Sequence, residues 1–265
     1  MTYNRIKLEF KDELAIIELN HPEVLNAISI EMLNELKSAV SKVSDPQSGA
    51  RCLLITGAGR GFCSGANLVE ASLPNNEGDN LDIPFSLNNT YNPFFLALRA
   101  LDIPIVCAVQ GPVAGIGMSL ALMGDIVIAG RSAYFLQAFR NVGLIPDGGI
   151  TWLLPRLIGF ARAMELSMLA EKLPAEKALE WGLINRVVED EQLAPEAMKM
   201  AEKLATGPTV ALGLLRKAYW ASNDNTYEQQ LHLESQGQEK SSCTEDAIEG
   251  ILSFREKRPT EFKGR

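Results

Sequence analysis

The sequence predicts an α/β protein whose core is layered and largely parallel, followed by a helical region. Three observations carry that expectation. Short apolar runs of strand length recur at residues 14–19, 51–56, 105–109 and 125–129. Helical patterns separate most of them, and a βαβα order favours parallel strands with helices packed on the sheet. From residue 151 onward helical periodicity dominates, apart from a short strand at 184–188. A chain of 265 residues is long enough for one sizeable core, or a core with a helical appendage.

Each element can be justified in order. Residues 6–10 and 14–19 alternate apolar and polar side chains on either side of a Lys-Asp-Glu turn, so the chain opens with a hairpin. After Asn20-His21-Pro22, a helix beginning near Ser29 places Ile30, Leu33, Leu36, Val40 and Val43 on one face, with Ser29 suited to cap it. Residues 51–56 form the next strand. It runs into GAGRGFCSGANL (residues 57–68), with a short helix expected from about Asn67. The polar, Asn- and Pro-rich stretch at 73–92 marks a mobile loop or lid. Its Asn88-Asn89-Thr90 triplet, a glycosylation pattern, carries no meaning in a reduced compartment. A helix at 94–100, a strand at 105–109, the loop GPVAGIG (residues 111–117), a helix from about Gly117 and a strand at 125–129 come next. Shorter elements lead through Tyr134 and Phe135 to GLIPDGG (residues 143–149). Later helices are expected near 193–205, 210–220, 226–240 and 244–255, a kind of region that packs across a subunit boundary. No fixed-period repeat is present.

Composition narrows the function. A formal net charge of -8 and the lack of a concentrated basic region disfavour a nucleic-acid partner. The one small basic cluster, Arg255, Lys257 and Arg258, reads as a solvated helix end. MTYNRIKLEF is neither a signal peptide nor an anchor, and no segment reaches the roughly 18 apolar residues of a membrane span. Cys52, Cys63, Cys107 and Cys243 are scattered without CxxC spacing, as expected of reduced packing residues in a cytoplasmic protein. His21 and His232, the only histidines, both read as surface residues and leave little material for a zinc site or a Ser-His-Asp triad.

The glycine-rich loops carry the chemistry. Each follows a strand and offers backbone N–H groups among small residues, so a ligand can approach closely. A dinucleotide site would need GxGxxG, but Phe62 stands where the first loop needs its last glycine, and Gly115-Ile-Gly117-Met-Ser-Leu120 also fails. No glycine precedes a lysine anywhere, which excludes a Walker A loop. Two donor loops and the carboxylate of Asp147 in a third are the parts of a site that stabilises an oxyanion while a base moves a proton. Asp147 fits two roles on its residues alone. It could cap the helix that starts around residues 149–151. Alternatively, with Pro146 fixing the backbone and Leu144, Ile145, Ile150 and Trp152 around it, it could be a poorly solvated base.

GFCSGANL, AVQGPVAGIGMSLALMGDIVIA, GLIPDGGITWLLPRLIG, AEKALEWGLINRVVE and the terminal FREKRPTEF together resemble the crotonase superfamily, the enoyl-CoA hydratase/isomerase proteins. The resemblance spans essentially the whole chain. Around GLIPDGGITWLLPR, Arg162-Ala163-Met164 and Glu180-Trp181-Gly182, it is greatest to epoxyphenylacetyl-CoA isomerase-type members.

This resemblance implies an α/β spiral of ββα units at residues 1–195, carrying an acyl-CoA site. Residues 196–265 become a helical region for trimerisation and coenzyme A cover, in trimers or paired trimers. The thioester carbonyl would lie between the N–H groups of Ala66 and Ile116. Ser119 and Phe139 occupy the positions of the two glutamates that hydratases use, whereas Asp147 matches the aspartate of isomerase-type members. The adenine would lie near Leu25, Ala27, Asn67 and Leu68. Phe254 and Lys257 would either close over it from a neighbouring subunit or simply end an amphipathic helix. The resulting expectation is an acyl-CoA isomerase with Asp147 as base, coenzyme A as part of the substrate, and no metal or redox cofactor. A hydratase using another acid, and a non-catalytic CoA-binding protein, are the alternatives.

Overall fold

The computed structural model describes residues 3–68 and 87–265. The strands are β1 (Ile6–Lys11), β2 (Leu14–Leu19), β3 (Cys52–Gly57), β4 (Ile105–Val109), β5 (Pro112–Ala114), β6 (Ile126–Gly130), β7 (Tyr134–Leu136), β8 (Leu173–Pro174) and β9 (Arg186–Val188). Six form one sheet in the order β1-β2-β3-β4-β6-β9, and three form a smaller sheet in the order β5-β7-β8. Only the β1–β2 hairpin is antiparallel in the large sheet.

The two sheets grow together. β4 enters the large sheet and β5 the small one, then β6 pairs with β4 and β7 with β5, both in parallel. A parallel bridge between Cys63 and Val113 brings the segment after β3 into the same stacking. Consecutive strand pairs therefore wind as a spiral of ββα units, the architecture expected.

Period-two alternation explains why the large sheet is buried on both faces. Leu53, Ile55, Ile105, Cys107, Val109, Val127 and Ala129 face one apolar cluster, which includes helix α1 (Ile30–Val43). Their neighbours Leu54, Val106, Ala108 and Ile128 face a second cluster. Ser29 caps α1, accepting from the Met32 N–H at 3.1 Å, and Leu33, Leu36, Val40 and Val43 are buried as expected. Ile30 departs from the pattern at 50% exposed. It occupies the first helical position, before the stripe reaches the core.

Helix α2 (Asn92–Ala100) follows a π turn at Leu87–Tyr91. The end of the expected polar loop is thus helical, and its residues 73–86 lie outside the described residues, as does most of the short helix expected from Asn67. Helices α3 (Ile116–Ala121), α4 (Ile150–Ile158), α5 (Phe160–Leu169) and α6 (Ala175–Glu180) alternate with the later strands. Helix α7 (Leu193–Ala205) lays Leu193, Ala197, Met200, Ala201 and Ala205 on the second face of the large sheet. A division after residue 195 falls inside this helix, so the layer covering the sheet extends to Ala205.

Helices α8 (Thr209–Ser222), α9 (Tyr227–Ser242) and α10 (Glu245–Glu256) complete the chain. Gly213 of α8 lies against the Asp102 carbonyl with no room for a Cβ, so the helix approaches the core backbone directly. α9 buries none of its residues and is held locally by a Thr226–Gln229 capping box. The buried Asp246 accepts from the Lys263 and Gly264 N–H groups at 2.6 and 2.8 Å, folding the tail back onto α10. Among the described residues no helix is long and apolar enough to cross a membrane.

Candidate active site

The first two glycine-rich loops run side by side. Cys63 N–H donates to the Pro112 carbonyl at 3.1 Å and Ala114 N–H to that of Cys63 at 2.9 Å, which sets Cys63 opposite Val113. Two residues on, the same register sets Gly65 opposite Gly115, and then Ala66 beside Ile116. Both glycines have positive φ, +114° and +51°, and a Cβ on Gly115 would stand 3.7 Å from the Gly65 Cα. The positive φ, more than lack of space, favours glycine at both positions.

Ile28 fixes the direction of the first N–H. Its own N–H donates to the Gly65 carbonyl at 2.8 Å and its carbonyl accepts from Asn67 N–H at 2.9 Å. This parallel pairing uses the groups on either side of Ala66 and turns the Ala66 N–H to the opposite side. Ile116 is the first residue of α3, where an N–H has no partner within the helix. Among the described residues neither N–H has an acceptor.

The third loop presses onto the start of α3. Ser119 Oγ donates to the Asp147 carbonyl oxygen at 2.9 Å. A Cβ on Gly148 would stand 2.6 Å from Ile116 Cδ1, 2.8 Å from Ser119 Cβ and 3.1 Å from Phe95 Cε2. Asp147 therefore lies next to the donor-bearing turn. The capping role does not hold: the N-cap of α4 is Gly149, in the left-handed region, with no side-chain hydrogen bond. Among the described residues Asp147 Oδ1 is instead buried without a hydrogen-bond partner. Burial alone pushes this carboxyl up to about 6. Ile150 is buried beside it and Leu144 and Trp152 are half-buried, but Ile145, also expected as an apolar neighbour, points outward at 83% exposed.

Ser119 and Phe139, the residues expected at the positions of the hydratase glutamates, have other contacts. Ser119 is buried and anchors the Asp147 loop, and the Phe139 ring packs within 3.9 Å of where a Gly115 side chain would begin. Neither offers an acid.

Four of the residues expected near the adenine come together. Leu25 accepts from Ser64 N–H at 2.9 Å, and Ala27 directly precedes the Ile28 that bridges to Ala66, with Asn67 and Leu68 following. The residue that builds this corner, Asn26, was not singled out from the sequence. Fully buried at φ +55°, it accepts from His21 N–H at 2.8 Å and donates to the Ala58 and Gly61 carbonyls at 2.9 and 2.8 Å. The clue was an asparagine between Leu25 and Ala27 in a turn, a residue type that tolerates left-handed backbone. Phe254 is 85% exposed and Lys257 ends α10 in the left-handed region, with no contact tying either to this site within one chain. His21 is half-buried rather than a surface residue, with Nε2 3.0 Å from Arg5 Nη1. His232 is exposed, Cys52, Cys63 and Cys107 are buried free thiols, and Cys243 is exposed.

Comparison with known proteins identifies the family. The sequence pattern of the enoyl-CoA hydratase/isomerase family matches residues 9–265. The chain is 46% identical over 249 residues to a 1,2-epoxyphenylacetyl-CoA isomerase of Escherichia coli K12, covering 94% of each chain. It is 41% identical over the full length of both chains to a protein of Rhodobacter capsulatus named probable enoyl-CoA hydratase. Its fold superimposes on the crystal structure of an enoyl-CoA hydratase from Bacillus anthracis with a TM-score of 0.91 at 30% identity, covering 99% of this chain and 100% of that one. The chain belongs to the enoyl-CoA hydratase/isomerase family, within the crotonase superfamily.

Proposed function

We propose that the protein is an acyl-CoA isomerase that shifts unsaturation along, or rearranges, an unsaturated acyl-CoA thioester. The thioester oxygen accepts hydrogen bonds from the N–H groups of Ala66 and Ile116. Negative charge develops on that oxygen as a proton leaves the acyl chain, and each preorganised donor is worth roughly 3–4 kcal/mol at that stage. Asp147 takes the proton and returns it at another carbon, contributing about 10² to 10⁴ in rate. The observation that carries this reading is the Asp147 carboxyl, buried, without a partner at Oδ1 and raised to about 6, beside two N–H groups without acceptors.

The occupied hydratase positions, Ser119 and Phe139, and the isomerase named among the relatives favour isomerisation over water addition. Coenzyme A enters as part of the substrate, its adenine against Leu25, Ala27, Asn67 and Leu68. Ile248, Ile251 and Phe254 of α10 and Tyr227 of α9 expose apolar surface suited to a homo-oligomer. Such an assembly would bring Phe254 and Lys257 over a neighbour's ligand. A panel of enoyl-, dienoyl- and aryl-CoA thioesters followed by absorbance and mass tests the reading. Products of unchanged mass support it. A gain of one water makes the protein a hydratase, and no conversion together with thioester binding makes it a CoA-binding protein.

A further inference from the structure

Tyr91 closes the π turn that leads into α2, and it is buried to 9% exposure within the same apolar cluster as Cys63, Phe95, Ile116 and Phe139. Side chains at i and i+4 share a helix face. Phe95, four residues on, has its ring against Gly148, so Tyr91 lies on the face turned toward the Asp147 loop. Cys63 gives the second bearing. Its Sγ stands 2.6 Å from where a Gly117 side chain would begin, directly beneath the turn that presents the Ile116 N–H. Across this shared face the Asp147 carboxylate, after burial itself, raises the Tyr91 phenol. Tyr91 is the N-cap residue of α2, but its side chain makes no capping hydrogen bond, and among the described residues it has no hydrogen-bond partner. π turns inside helices recur at functional sites, where they aim a side chain that an α-helix would carry past.

We infer that Tyr91 is a specificity-determining residue whose hydroxyl contacts the acyl chain and recognises an oxygen on it, within a carbon or two of the positions between which the proton moves. Burial and the neighbouring carboxylate push the phenol up to about 12, so it stays protonated and acts as a donor. A donor enclosed by bound substrate loses its contact with water, and only a chain bearing an oxygen of its own (hydroxyl, ether or epoxide) replaces that bond. This inference rests on the thioester site proposed above but needs no turnover to be tested.

The test uses the full chain and its Tyr91→Phe variant with two unreactive saturated acyl-CoA thioesters of equal length, one carrying an ether oxygen in place of the methylene at the third carbon. The wild type should bind the ether about tenfold more tightly, and Tyr91→Phe should erase that preference while binding the plain chain equally well. A preference absent from the wild type, or retained by the variant, overturns the inference. Turnover adds a second arm. Tyr91→Phe should lower kcat/KM on an oxygen-bearing enoyl-CoA about 10- to 100-fold and on the plain enoyl-CoA less than about threefold. Equal losses on both would mean a merely structural residue, and again the inference fails. Should Asp147→Asn leave turnover intact, the base is misassigned, yet the binding preference still decides the role of Tyr91.

Discussion

Two aspartates of this chain carry carboxyls that burial pushes up, and their surroundings differ in every other respect. Asp125, at the start of β6, accepts from Arg216 Nε at 2.9 and 2.8 Å and from Ile105 N–H at 2.8 Å. The Arg216 side chain, 3% exposed, also donates to the carbonyls of Leu98, Arg99 and Leu101. Asp147 has no such partners: its backbone is held by Ser119, and its Oδ1 is left bare. Where a buried carboxylate and guanidinium are paired and hydrogen-bonded, the pair fixes α8 to the core. Where the backbone is fixed and the carboxyl left unsatisfied, the same side chain is kept basic enough to take a proton.

The largest stability effect should come from breaking the satisfied site. Arg216→Met strands the three carbonyls and the Asp125 carboxylate and should cost about 2–4 kcal/mol, read from denaturant unfolding. Stability within 0.5 kcal/mol of wild type, on the order of an ordinary surface substitution, would mean that the network holds nothing.

Asp147→Asn should act in the opposite sense. The folded carboxyl has its pKa raised from 3.8 to about 6, so the native state binds the proton more tightly than the unfolded chain. Wild-type stability therefore falls as pH rises between those values, and the full penalty is present above about 6. Removing the charge should stabilise the protein by about 1–2 kcal/mol at pH 8 and hardly at all at pH 4. A variant less stable than wild type at pH 8 would show a carboxylate with unrecognised partners.

Two further changes sharpen the contrast. Gly65→Ala forces a side chain into positive φ, with its Cβ 3.3 Å from the Ala114 carbonyl oxygen. By shifting the Ala66 N–H it should lower kcat about 10- to 100-fold for a stability loss of about 1–3 kcal/mol. Unchanged turnover would remove Ala66 from the proposed oxyanion site. Ser119→Ala deletes one hydrogen bond to the Asp147 loop and should cost only about 1 kcal/mol by thermal unfolding. A loss of turnover as large as that of an Asp147 variant would make Ser119 more than an anchor.

Much of the fold was legible because local and global preferences agree. β4 matches its apolar run residue for residue, and α7 spans the residues expected. What escaped was pairing that no local pattern encodes. β5 is three residues long and β8 two, and both exist only because the spiral brings β7 between them. In the candidate site, the loops announced themselves through glycine spacing, and Asp147 through its proline and apolar neighbours. Asn26 and Tyr91 did not, because an asparagine in a turn and a tyrosine in a polar stretch look ordinary until distant backbone closes around them. That Asp147 does not cap α4 also waited on geometry, since the helix starts at Gly149 without a side-chain acceptor; its role as base is the proposal made above.

The central claim is tested most directly by isomerisation of a β,γ-unsaturated acyl-CoA by wild type and Asp147→Asn across pH 4.5–8.5, roughly spanning the shifted carboxyl. The account expects wild-type kcat/KM to rise with pH, half-maximal near the value of about 6 set by that carboxyl. It expects the variant to be lower by about 10² to 10⁴ and to lack that rise. Turnover in Asp147→Asn equal to wild type, with the same pH profile, would contradict it.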